Sequence, residues 1–238
     1  MANVDYETKM NSKSYRFFDL LFRLLVINVI TIVIGITIVG LYPGYVAATA
    51  TIKEGPCEYN VFKQYFINFK NNFFKSFFTG LILLVLYAVS GYAIYFYSTS
   101  TIKDGETDNL LELFLNAGFV VSFVGFIIIT LLSSHLPQLI ITFPSLTLWE
   151  VFRTSFYVTF RYFLTTFIMF IMRILTIGSF LACIFIDPRI LAIWMLVGIT
   201  LPLFIEVKAT AAVYYKFKQI NLEAIMHRIE EEEAEDEE

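Results

Sequence analysis

The chain has 238 residues, of which 58% are hydrophobic and only 16% charged, and its mean hydropathy is +0.70. A soluble domain of this size carries about 25% charged residues, so the composition excludes an ordinary soluble domain and indicates an all-α integral membrane protein. The net charge of −4 belongs to the C-terminus, where eight of the last nine residues are acidic; without them the body stands at about +4. A mildly basic body suits contact with anionic membrane lipid and gives no support to nucleic-acid binding.

The first 16 residues are polar, with Lys9, Lys13 and Arg16, and carry no cleavable signal pattern. An apolar tract from Phe17 to Ile52 follows, with Asp19 and Arg23 near its start. It is too long for one untilted span and short for two. Gly40, Pro43 and Gly44 predict a helix break within it, after which the tract returns to the side it came from. The alternative is a single crossing with the N-terminus outside. Asn28 lies in the apolar part, where a hydrogen bond to a neighbouring helix is the expected use of an amide.

Residues 53–60 are a polar turn. Residues 61–78 then interleave aromatic residues (Phe62, Tyr65, Phe66, Phe69, Phe73, Phe74) with Lys63, Lys70 and Lys75. That spacing gives an apolar stripe beside a basic face and predicts a helix lying in the membrane interface, or else the extended end of the next span. Spans are expected at 77–97 and 113–136, joined by an acidic connection over 98–112. A second aromatic–basic stretch, 151–163, follows the prolines Pro137 and Pro144. Val61-Phe62-Lys63-x-x-Phe66 and Val151-Phe152-Arg153-x-x-Phe156 share a pattern 90 residues apart, which suggests a direct repeat or a coincidence in a Phe-rich chain.

Residues 162–186 form an apolar span with Arg173 at its middle, Asp187-Pro188-Arg189 reads as a tight turn, and the last span covers 190–213 with a kink at Pro202. These readings give a polytopic helical bundle of five to six membrane helices with two interfacial helices. One transmembrane domain covers 1–214. A cytoplasmic polar helix and a disordered acidic tail cover 215–238. Counting Lys and Arg in the connections from residue 53 onward places ten on one side and two on the other, which puts the C-terminus in the cytoplasm.

A cation at mid-membrane costs at least about 2.5–3.5 kcal/mol, so Arg173 needs a partner. It lies 13 residues before Ile186, roughly 20 Å from the turn, and Glu206 lies 16 residues after Ile190, roughly 24 Å, at 1.5 Å per helical residue. An intramembrane Arg173–Glu206 ion pair is therefore expected. Cys57 and Cys183 are read as unpaired thiols, and His135 and His227 stand apart from them, so no metal site, cofactor or catalytic residue is expected and an enzyme is not.

The run from Asn28 to Thr49, NVITIVIGITIVGLYPGYVAAT, resembles the signature of the YesL-like bacterial membrane proteins, a family of undefined function. Asn28, Ile38-Val39, Pro43 and Ala47-Ala48 carry the likeness, while Thr37 and Gly40 depart from the family's proline and threonine. The Phe-rich segment from Phe62 to Phe74 and the region 137–214 are similar to that family as well. The resemblance implies a bacterial plasma-membrane protein acting as an accessory subunit of a carbohydrate (oligosaccharide) ATP-binding cassette (ABC) importer. Its partners would be permease and possibly ATPase subunits. The residues leave open an autonomous small transporter or channel, with Arg173 and Glu206 lining a path.

Overall fold

The computed structural model describes residues 13–55, 60–103, 109–185 and 189–236. All regular structure among these residues is helical: α1 (Lys13–Gly35), α2 (Ile38–Glu54), α3 (Val61–Lys103), α4 (Asn109–Thr142), α5 (Leu148–Arg161), α6 (Phe163–Phe185), α7 (Ile190–Val197) and α8 (Thr200–Asp236). Among the described residues, five segments are long and apolar enough to cross a bilayer: 14–35, 61–100, 112–142, 163–185 and 194–219. The chain is a multi-pass, all-α membrane protein. Cys57, Lys9 and the turn residues Asp187 and Pro188 lie outside the described residues.

The first tract breaks and doubles back, but not where glycine and proline suggested. The break falls between Gly35 and Ile38, because Thr37 supplies an N-cap: extended at φ −85° and ψ 126°, it accepts through its hydroxyl from the Gly40 amide. Gly40, Pro43 and Gly44 lie inside α2 instead. They serve close packing. A Cβ on Gly40 would come within 2.6 Å of the Ile34 carbonyl oxygen, so the tight return of α2 onto α1 requires glycine there. At the other end of this hairpin an Arg23 Nη donates to the Gly55 carbonyl at 2.6 Å, so α1 and α2 run antiparallel.

Although only 17 residues long, α2 sits at the centre of the bundle. Ala47 and Ala48 join Ile27, Ile30, Val61, Tyr65 and Leu203 in one apolar cluster. Val46 joins a second cluster with Leu83, Leu136, Leu139, Ile140, Val151 and Tyr214. Small side chains on α2 let α1, α3, α4 and α8 all approach it.

Two expectations about continuity are corrected. The stretch 61–78 is no separate interfacial helix; it runs unbroken into its span as the 43-residue α3. The face it packs inward is Val61, Gln64, Tyr65 and Asn68, while Phe62, Phe66 and Phe74 of the aromatic stripe stay exposed, as on the extended end of the next span. The second aromatic–basic stretch does form a helix of its own, α5, opened by a capping box between Thr147 and Glu150. At the other end of the chain α8 passes residue 214 without interruption and continues to Asp236. The acidic run expected to be disordered is thus helical as far as Asp236, consistent with the high helix propensity of Glu and Ala.

Candidate functional site: polar clusters inside the bundle

Asn28 is fully buried on α1, and its side chain meets the last span where that span is broken. α7 ends at Val197 and α8 starts at Thr200. The Asn28 Oδ1 accepts from the amides of Ile199 (3.1 Å) and Thr200 (3.0 Å), and its Nδ2 donates to the Met195 carbonyl at 2.7 Å. The Thr200 hydroxyl returns a bond to the Leu24 carbonyl at 3.0 Å. One amide therefore satisfies the end of one helix and the start of another, where no water would otherwise serve them. The kink expected at Pro202 is displaced to Gly198–Ile199. Pro202 falls in the first turn of α8, where a missing N–H costs nothing.

Arg173 and Glu206 approach the same spot, yet the expected direct ion pair is replaced by a bridge. The Tyr45 hydroxyl donates to Glu206 Oε2 at 3.3 Å, and the Arg173 guanidinium lies 5.8 Å from the centroid of the Tyr45 ring. The hydrogen bonds of Arg173 go to Ser133 on α4: Nη1 to the hydroxyl at 2.9 Å and Nη2 to the backbone carbonyl at 3.1 Å. The cause lies in Pro137. A helical proline removes the donor that would engage the carbonyl four residues earlier, which here is that of Ser133. Arg173 fills the acceptor that Pro137 vacates. The pairing of Pro137 with Ser133 was the sequence signal that depth matching missed.

The cluster extends on both sides. The Ser133 hydroxyl is 3.0 Å from that of Tyr87, which ties α3 to α4. His135, two residues on, is buried with Nδ1 2.9 Å from the Tyr214 hydroxyl and Nε2 2.8 Å from that of Thr166. Two donors facing this interior have no hydrogen-bond partner, Arg173 Nε and the Tyr42 hydroxyl. The chemistry available is that of a polar cross-link: a cation held by a hydroxyl, a carbonyl and an aromatic face, and a carboxylate held by a phenol.

A separate pocket of about 480 Å³ opens where α1, the end of α2 and α8 meet, and neither Arg173 nor Glu206 contributes to it. Cys183 is buried on α6 as a free thiol. No group of three or more His, Cys, Asp or Glu residues that could hold a metal ion occurs among the described residues.

A family model described as "Protein of unknown function, DUF624" is similar to residues 24–94, a stretch that runs from the Asn28 region through α2 and most of α3. No curated protein and no solved structure matches the chain.

Proposed function

We propose that this chain is an accessory membrane subunit of a carbohydrate (oligosaccharide) ABC importer, packing beside the permease subunits in the bacterial plasma membrane with its C-terminus in the cytoplasm. The importer comes from the likeness of residues 28–49 to the YesL-like proteins. The accessory role rests on one observation: the intramembrane Arg173, Glu206 and Asn28 are each engaged by the fold itself. Arg173 is held by Ser133 and Tyr45, Glu206 by Tyr45, and Asn28 by three backbone groups. A transport path would need such groups turned toward a passage. The long apolar faces of α3 and α4, with Leu81, Val85, Val89, Val120, Val121 and Val124 exposed, suit lipid and permease helices alike.

Affinity purification of the tagged chain in a mild detergent tests the reading. Permease and ATPase subunits are expected to co-purify. A protein that purifies alone and moves solute when placed in liposomes would overturn the accessory role in favour of an autonomous transporter.

A further inference from the structure

Among the described residues, two hydrogen-bond donors around Arg173 have no acceptor in the fold. The Tyr45 proton goes to Glu206. The Ser133 hydroxyl donates to the Thr130 carbonyl at 2.9 Å, so the proton shared between Ser133 and Tyr87 is that of Tyr87. Arg173 places Nη1 and Nη2 on Ser133. The Tyr42 hydroxyl and Arg173 Nε are left over, and both atoms are buried. Tyr42 and Tyr45 lie three residues apart on α2 and so share a helix face, and the Arg173 guanidinium lies against the Tyr45 ring. The Arg173 charge also reaches the Tyr42 hydroxyl.

Neither donor is free to turn elsewhere. A Cβ on Gly80 would come within 2.6 Å of the Tyr42 Cβ, so α2 and α3 close on each other at this tyrosine and hold its ring. The guanidinium is planar, and two bonds to Ser133 fix its plane, so the Nε edge is fixed with it. Donors buried and held in this way need an occupant that accepts from both. An apolar ligand accepts nothing. An anion would add a second negative charge beside Glu206, which is 3% exposed and already sets one against Arg173. Water accepts two hydrogen bonds and donates two. The Glu206 carboxylate has capacity for a donor besides Tyr45, whose bond is long at 3.3 Å. Buried waters are held by about three such bonds to polar groups that the fold leaves over. We infer that one ordered water is bound between Arg173 Nε and the Tyr42 hydroxyl and donates toward Glu206. The Arg173–Glu206 pair is then joined through water as well as through Tyr45. The assignment does not depend on the importer reading, because it uses only side chains of α2, α3, α4, α6 and α8.

Tyr42→Phe keeps the ring and removes one of the two donors. With the water in place the change breaks a hydrogen bond, and it is expected to lower the folded-to-unfolded ratio about fivefold in denaturant unfolding carried out in detergent. An unchanged or higher ratio, the outcome for a hydroxyl with no partner, overturns the assignment. An experimental density map of the native chain that resolves ordered water is the direct test. One peak within hydrogen-bond distance of both Arg173 Nε and the Tyr42 oxygen is expected. A map with no peak there overturns the water, whether the two groups meet directly or stay apart. So does an anomalous signal at the peak after bromide replaces chloride, which would make this an anion site.

Discussion

The two aromatic–basic segments begin alike and end differently. Val61 and Val151, 90 residues apart, are both buried, and so are the residues four and seven positions on: Tyr65 and Asn68 in α3, Ser155 and Val158 in α5. Then α3 continues for about nine further turns, while α5 stops at Arg161 and Tyr162 leaves the helix at φ −114° and ψ 48°. The carbonyls near this break are met by Thr166, whose hydroxyl lies 3.1 Å from the Tyr162 oxygen and 3.2 Å from that of Thr159, with His135 behind it. The position 90 residues before Thr166 is Ser76, which is equally buried but has no hydrogen-bond partner. The shared pattern sets which face is buried. Whether the helix goes on is decided by what a different helix offers at one position.

Exchanging the two hydroxyl positions should therefore give opposite results. Thr166→Val keeps the shape but leaves the buried His135 ring nitrogen and two carbonyls without it. It is expected to destabilise the folded state by about 2–3 kcal/mol in denaturant unfolding carried out in detergent. A loss below half of that would mean that the break does not depend on Thr166. The next largest effect is expected on α3. Tyr65→Phe removes the hydroxyl that donates to the Gly44 carbonyl at 2.9 Å and lies 3.2 Å from Thr31, for about 1–1.5 kcal/mol.

Thr147→Ala, which opens the capping box that starts α5, is expected to cost about 1 kcal/mol. The same cap carries a pH dependence. The Thr147 backbone amide, and then its hydroxyl, hold the Glu150 carboxyl below the usual carboxylate range. A depressed acid stabilises the fold at pH above its unfolded value and loses that contribution as pH falls through the folded value. The difference in stability between the native chain and Glu150→Gln should be steady at neutral pH and close on acidification below the ordinary carboxylate range. A difference that widens in acid would contradict the cap. The smallest effect is expected at Ser76→Ala, which removes a buried hydroxyl that has no partner to lose, and so should be neutral or slightly stabilising.

Composition and hydropathy carried the fold class, because a bilayer leaves the chain few alternatives to helices. The helical character of residues 61–69 and 151–159 was likewise legible, but the face they bury was not: Gln64, Asn68, Ser155 and Thr159 are buried while Phe62, Phe66 and Phe156 are exposed. The breaks were also less legible. Gly40, Pro43 and Gly44 looked like a break and prove to be a packing surface, while the break went to Thr37, whose value as a cap depends on the local backbone. Arg173 was legible as a cation in need of a partner, and Glu206 as lying near it. That Tyr45 stands between them, and that Pro137 frees an acceptor for Arg173 on α4, are facts of three-dimensional neighbourhood. Sequence depth along one hairpin holds no information about a third and fourth helix.

The Asn28 amide also bears on the order of assembly. Its partners Ile199 and Thr200 follow it by 171 and 172 residues. At a synthesis rate of about 5–20 residues per second, α1 is made on the order of ten to thirty seconds before the groups that satisfy its buried amide. For that time Asn28 must be held by water, by the insertion machinery or by a temporary neighbour. The last helix to enter is the one that locks the first, so a chain truncated before residue 199 lacks the groups that close this lock, however many of its spans have already crossed.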